Sequence, residues 1–145
     1  MAVPMNGKAW NLQIEEIAEF LLDETGFSLC LKTDEESRAS FHDKTIYINS
    51  RLHPEKKFYT TLHEIGHVLI HKNSKQFERD YPMYVRPEDY LRRGSKKHRV
   101  SIIAEEIEAW RLGRETARDI GMVINDEKYD NLMAEQVSSY LVWAA

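Results

Sequence analysis

The sequence has little of several features that would each place it in a special class of protein. It holds one cysteine, Cys30, so it cannot form an internal disulfide, which fits a reducing compartment. Its apolar runs are only a few residues long, as in Val68–Ile70, whereas a membrane-spanning helix needs about 20 apolar residues. Residues 1–8 lack the apolar core of a secretory signal. We therefore expect a cytoplasmic protein without a membrane span.

What the sequence does contain is typical of one globular domain. Apolar residues make up 42% and charged residues 30% of its 145 positions, enough for a single core, so we expect one domain over residues 1–145. The net charge of −4 argues against a protein that binds nucleic acid over its whole surface. The charge is uneven, because the segment from Lys72 to Arg99 holds nine basic and four acidic residues.

The spacing of apolar residues predicts four helices, over about residues 11–25, 54–72, 99–120 and 126–143. Strands are predicted at 27–31 and 44–49, where β-branched and aromatic residues concentrate, within a small sheet of about three strands. The polar segment 73–98 carries Pro82, Pro87 and Gly94, and we expect it to be irregular and long for a loop. Helices outnumber strands and the strands come early, so the predicted class is α+β.

The strongest chemical signal is the sequence His63-Glu64-Ile65-Gly66-His67, which has the spacing H-E-x-x-H. Residues four apart share one face of a helix, so His63 and His67 can hold one metal ion from adjacent turns. Glu64 lies about 100° round the helix, where it can reach a water on that ion without binding the ion itself. The apolar neighbours of this segment indicate a buried helix, in which two histidines and a glutamate need partners.

A catalytic zinc ion requires a third protein ligand and one open position. In the predicted helix 99–120, Glu106 lies on the apolar stripe, and a carboxylate on such a face is costly unless it is paired or bound to metal. Glu106 is therefore the predicted ligand, with Glu105 and Glu108 as alternatives. His71 follows His67 on the same helix, and a straight helix cannot bring three turns to one ion. Other groups have no supporting context as ligands or are better interpreted as packing groups: His42, His53, His98 and Cys30.

These residues resemble the ImmA/IrrE family of metallopeptidase-like domains. The similarity runs from Thr45–Asn49 into Phe58–His71 and resumes at Glu106–Trp110. It implies a zinc site in which the third ligand is a glutamate three residues before a small residue, here Glu106 before Ala109. The chain departs from the usual family pattern after that point, where it reads Trp110-Arg111-Leu112-Gly113. The resemblance also implies a link to cleavage of helix-turn-helix repressors.

The favoured hypothesis is a zinc metallo-endopeptidase in which His63, His67 and Glu106 bind Zn²⁺ and Glu64 is the general base. An extended peptide substrate is expected to add to Thr45–Asn49 as a sheet edge. Candidate donors to the transition state are Tyr47, Tyr59, Tyr81, Tyr84 and His98, and the sequence does not choose among them. One alternative is a zinc-stabilised, non-catalytic module that contacts protein or nucleic acid through the basic segment 72–99. Another is a regulatory component that cleaves nothing.

Overall fold

Five helices and three strands form the part of the chain that the computed structural model describes, residues 5–81 and 96–144. In chain order they are α1 (Gly7–Thr25), β1 (Ser28–Lys32), β2 (Arg38–Ser40), β3 (Thr45–Asn49), α2 (Pro54–Lys72), α3 (Ser74–Asp80), α4 (Lys96–Asp119) and α5 (Asp126–Ala144). The predicted α+β class is confirmed. None of these described helices has an apolar stretch long enough to cross a membrane.

The first helix begins four residues earlier than the apolar spacing predicts, because a polar cap starts it. The side chain of Asn6 accepts a hydrogen bond from the backbone N–H of Ala9 at 2.9 Å, which satisfies one of the free donors of the first turn. The end of the helix is where the sequence places it. Gly26 there adopts the left-handed conformation with a φ of 77°, which suits glycine.

The sheet has the strand order β1-β3-β2, with β1 parallel and β2 antiparallel to β3. The prediction that Thr45–Asn49 forms a sheet edge is therefore wrong, because this strand is β3 and lies in the middle. Ile46 and Ile48 are fully buried against the helices, as a central strand requires. The strand β2 was not located from the sequence. It has three residues and begins with Arg38, so it shows no alternation of apolar and polar residues.

The helix α2 runs through the centre of the fold and packs on α1, on the sheet and on α4. Its fully buried side chains include Phe58, Leu62 and Ile65. Two glycines let α4 approach it closely: a Cβ atom on Gly66 would lie 1.9 Å from the carbonyl oxygen of Ala109, and one on Gly113 would lie 2.2 Å from that of Leu62. Only glycine permits this backbone contact, so the two positions fix the separation of the helices.

The described ends of the segment 73–98 are more regular than the composition of the segment suggests. It begins with the short helix α3, and α4 starts at Lys96, three residues before the predicted helix. Phe77 on α3 is 5% exposed and packs in a small apolar cluster with Ile70 and Ala109, which gives this polar helix an anchor. The rest of the predicted loop, including Pro82, Tyr84 and Pro87, lies outside the described residues.

Candidate metal centre

The helix α2 places His63, Glu64 and His67 on adjacent turns that face α4. Its other faces are held in the core, and neither the start nor the end of α2 lies near the motif, so the three side chains project from a rigid segment. The imidazoles of His63 and His67 meet edge to face, with ring centroids 4.7 Å apart. The carboxylate of Glu64 lies 3.9 Å from Nε2 of His63 and is 8% exposed as a residue.

Glu106 reaches this pair from α4. Its Oε2 lies 3.1 Å from Nε2 of His63 and its Oε1 lies 3.2 Å from Nε2 of His67. Each of the three residues offers a ligand atom within 4.8 Å of the other two. Such close approach depends on the helix contact at Gly66, because Ala109 lies one turn beyond Glu106 on the same face of α4.

The two alternative glutamates lie outside this cluster. The carboxylate of Glu108 is bound to the guanidinium of Arg111 and accepts a hydrogen bond from the Tyr81 hydroxyl at 3.1 Å. Glu105 approaches the opposite side of an imidazole, with its Oε2 3.8 Å from Nδ1 of His67. Of the three carboxylates, the one on the apolar stripe, Glu106, therefore lies beside both histidines.

The chemistry of this group fits a divalent metal. Two imidazole nitrogens and one carboxylate are a ligand set that catalytic zinc uses. Ligands at zinc bond lengths of about 2.0–2.1 Å in a tetrahedron lie roughly 3.3 Å apart. The distances of 3.1 and 3.2 Å from the Glu106 oxygens to the two histidines are close to that separation, and both histidines turn Nε2 toward this carboxylate.

The chain was compared with known families, curated proteins and solved structures. Residues 24–90 match the family described as Peptidase_M78, IrrE N-terminal-like domain. The match covers 67 of the 145 residues and supports a similarity of this stretch to an ImmA/IrrE-type domain. None of the curated proteins or solved structures in the comparison matches it. The family match includes His63, Glu64 and His67 on α2, whereas Glu106 lies beyond it.

The predicted resemblance is thus confirmed, and the family is of metallopeptidase type. A cluster compatible with metal binding lies where the matched segment of α2 meets α4.

The electrostatics of the cluster separate Glu64 from Glu106. Burial raises the pKa of Glu64, and the neighbouring His63 and His67 oppose that rise only in part. Burial acts in the same direction on Glu106, but hydrogen bonds with His63 and then His67 bring the pKa of Glu106 down to about 2. One carboxyl group is therefore held ionised, while the other is biased toward taking up a proton.

The pKa of His67, which contacts Glu106, is shifted in the opposite direction. Burial alone would lower the pKa of His67, but the hydrogen bond to Glu106 and the charges of Glu106, Glu64 and Glu105 raise the pKa of His67 to about 9. The imidazole thus carries a proton at neutral pH when no metal competes for it.

A cavity of about 300 Å³ opens onto the cluster. Its walls include His63, Glu64, Glu106 and Tyr140, which lies on α5. The Tyr140 hydroxyl hydrogen-bonds with Glu106; burial first, and then the charge of Glu106, raise the pKa of the Tyr140 phenol well above its usual range. Sequence reasoning did not identify Tyr140 as part of the site.

The sequence proposed several donors to the transition state, and those among the described residues lie away from the cavity. Tyr47 hydrogen-bonds with Asp43, Tyr59 with Glu55 and the backbone of Asn125, and Tyr81 with Glu108. The described lining of the cavity includes none of these tyrosines and not His98. Tyr84 lies outside the described residues.

The remaining histidines and the cysteine are placed away from the cluster. His71 is exposed and packs on the ring of Phe41, with centroids 4.4 Å apart. His53 caps α2, since its Nδ1 accepts a hydrogen bond from the backbone N–H of Glu55 at 3.3 Å. Cys30 is half-buried in β1.

Proposed function

We propose that this chain is a zinc-dependent endopeptidase that hydrolyses a peptide bond in a protein substrate. The observation that supports this most directly is the position of Glu64. It lies beside the three candidate ligands without joining them, 3.9 Å from His63 Nε2, and it lines the cavity that opens there. A closed structural zinc site has no use for such a group, whereas hydrolysis requires a base at this place.

In this proposal His63, His67 and Glu106 hold the zinc ion. When bound, zinc supplies Lewis acidity, which polarises a carbonyl group and brings the pKa of water toward neutrality. Before zinc binds, Glu106 is already ionised, because its hydrogen bonds with the two histidines hold its pKa low. The rigid packing of α2 on α4 keeps the three ligands in place before the substrate arrives.

Glu64 acts as the general base. It takes the proton of the attacking water and then delivers this proton to the nitrogen of the departing amine. Because burial raises the pKa of Glu64, the group is closer to the operating pH than an ordinary carboxyl, which suits both steps.

Tyr140 is the proposed donor to the negative charge that develops on the carbonyl oxygen. Its hydroxyl lies in the cavity wall and remains protonated, since its pKa is raised. The hydrogen bond with Glu106 holds the phenol beside the ligands until a substrate takes its place.

The outer strand β2 is the proposed docking strand for the substrate, in place of β3. It lies at one side of the described sheet, and a hydrogen bond from its Ala39 backbone reaches Glu64. A peptide that adds to β2 as a further strand would pass directly in front of Glu64. A helix-turn-helix transcriptional regulator is the substrate that the family resemblance favours.

The decisive variant is Glu64→Gln, which keeps the size of the side chain but cannot accept a proton at neutral pH. Loss of general-base assistance should lower kcat by about 10²–10⁴-fold. Cleavage is measured on a helix-turn-helix regulator encoded beside this protein and on an unfolded polypeptide. Glu15→Gln, on the exposed face of α1, is the matched control and should cleave as the parent does.

Zinc content and thermal unfolding are measured on the same preparations, and both should be unchanged by Glu64→Gln. Two results would contradict the proposal. One is a zinc-loaded parent that cleaves neither substrate, and the other is a Glu64→Gln variant that cleaves as fast as the parent.

A further inference from the structure

The imidazole of His63 is stacked against an indole. Trp110 lies on α4 one turn after Glu106, so both side chains share the face that packs on α2. The ring centroids of His63 and Trp110 are 4.3 Å apart and their planes differ by 22°, which is a parallel stack. Trp110 is 1% exposed, so the indole is fixed within the protein and water does not separate the two rings.

The other side of Trp110 is held as firmly. The ring of Tyr129 meets it edge to face with centroids 5.3 Å apart, and the Tyr129 hydroxyl donates to the backbone oxygen of Trp110. Tyr129 in turn packs edge to face on Tyr59 of α2. The indole is therefore clamped between the core and the imidazole, and it leaves His63 little freedom to rotate.

The second nitrogen of His63 lacks the usual support. A histidine that binds a metal through Nε2 almost always donates its Nδ1–H to a carboxylate, a carbonyl or water, which fixes the orientation of the ring. Nδ1 of His63 is buried and has no hydrogen-bond partner among the described residues. His67 differs, because its Nδ1 faces the carboxylate of Glu105 at 3.8 Å.

Stacking can replace that support for physical reasons. An imidazole that donates its electrons to a cation becomes electron-poor, and the face of an indole is the most electron-rich surface among the side chains. The attraction between the two rings should then be larger with metal bound than without it. Because the stacking is stronger in the metal-bound protein than in the metal-free protein, it favours the metal-bound state and raises metal affinity.

We propose that Trp110 is a positioning residue that orients His63 by stacking, in place of a hydrogen bond to Nδ1, and thereby strengthens metal binding. This inference rests on the proposed metal centre but not on peptidase activity. It assigns a specific role in the site to a residue that would otherwise be read as part of the core.

The test compares the zinc affinity of the parent, Trp110→Phe and Trp110→Leu, measured by competition with a chromophoric chelator. Phenylalanine keeps an aromatic face, so its affinity should stay within about threefold of the parent. Leucine fills space without a π-face, and its affinity should fall by about 10–100-fold, the usual effect of losing outer support of a ligand. Leu132→Ala is the control for a general loss of core packing, since Leu132 is buried and is not among the residues lining the cavity. It should lower the unfolding temperature without changing zinc affinity.

Fluorescence provides a readout that a merely structural role would not move, and it does not need the leucine variant to fold. Zinc binding should change the tryptophan emission of the parent, because Trp110 lies against a ligand, and should leave the emission of Trp110→Phe unchanged. Equal zinc affinity in the leucine variant and the parent would overturn the proposal. So would an equal loss of affinity in the phenylalanine and leucine variants, or in Leu132→Ala.

The proposed enzymatic function fails separately. A parent that binds zinc but cleaves nothing contradicts the peptidase, while the affinity comparison still decides the role of Trp110. A parent that binds no zinc overturns both.

Discussion

Three neighbouring glutamates of α4 lie in three different environments: Glu105, Glu106 and Glu108. Glu106 contacts both histidines, Glu105 faces Nδ1 of His67, and Glu108 is engaged by Arg111 and Tyr81. Burial distinguishes them as well, since Glu106 is 7% exposed. Loss of a single carboxylate should therefore affect metal binding very unequally.

We expect Glu106→Ala to lower zinc affinity by more than 100-fold, because it removes one of three ligands. Glu105→Ala should lower affinity by about 10-fold or less, through the orientation of His67. Glu108→Ala should leave affinity unchanged. Chelator competition measures all three variants, and a larger loss in Glu105→Ala or Glu108→Ala than in Glu106→Ala would show that the ligand set is wrong.

Tyr140→Phe removes one hydroxyl and leaves the ring in place. If the phenol donates to the developing charge, kcat should fall by about 10²–10³-fold. Zinc affinity should fall by 10-fold at most, since the lost hydrogen bond to Glu106 is an outer contact of a ligand. Tyr81→Phe is the matched control, because that hydroxyl binds Glu108 instead. Unchanged kcat in Tyr140→Phe would exclude the proposed donor.

At the scale of single residues, the sequence predicts a site residue when the pattern that identifies the residue lies within one helix. His63, Glu64 and His67 lie on adjacent turns of α2, and Glu106 was predicted from the apolar stripe of α4. Tyr140 could not be found in this way. Its contact with Glu106 depends on how α5 is rotated and placed against α4, and no local spacing encodes that.

At the scale of elements, the crossing of α2 and α4 brings the ligands together. Its closeness depends on Gly66 and Gly113, whose missing side chains leave room for the carbonyl groups of Ala109 and Leu62. A methyl group at position 66 would need the helices to separate by more than 1 Å, because Cβ atoms do not approach other atoms to 1.9 Å. Glu106 would then move away from the two histidines.

Gly66→Ala should therefore destabilise the protein by about 1–3 kcal/mol, the usual cost of overpacking. Helix propensity alone predicts the opposite sign, a gain of about 1 kcal/mol, so denaturant unfolding distinguishes the two effects. Zinc affinity should fall with the stability. Gly7→Ala is the control, since its Cβ would lie at an ordinary 3.4 Å from Pro54, and it should not destabilise the protein.

The elements themselves were predicted unevenly from the sequence. The bounds of α2 follow from Pro54 at its start and from its apolar spacing. The helix α3 was missed because a single apolar anchor, Phe77, gives no periodicity. The order of the strands could not be predicted from the sequence either, because β3 is central only through its pairing with the short strand β2.

At the scale of the whole molecule, the candidate site makes the stability of the fold depend on metal binding and on pH. Without metal, the carboxylate of Glu106 is paired with two partly buried histidines, and the pairing stabilises the folded state over a limited range of pH. The pKa of Glu106 is lowered to about 2, so its contribution is present above about pH 4.5 and is lost as pH falls through 2. The pKa of His67 is raised to about 9, so its contribution is present below about pH 6.5 and is lost as pH rises through 9.

Zinc must displace the proton of His67 in order to bind, which leads to a prediction between about pH 6.5 and 8. In that range the metal-free protein holds the proton, since the pKa of His67 is about 9, and the metal-bound protein does not. Zinc binding should therefore release about one proton, and zinc affinity should rise about tenfold for each unit of pH. Calorimetric titrations in buffers of different ionisation enthalpy count the proton, and His71→Ala should leave that count unchanged, because His71 lies on Phe41 away from the site. A proton count of zero, with zinc affinity independent of pH, would mean that His67 is not a ligand.

Zinc binding should also stabilise the folded state. At a free zinc concentration 100 times its Kd, the gain in the free energy of unfolding should be about 2.7 kcal/mol.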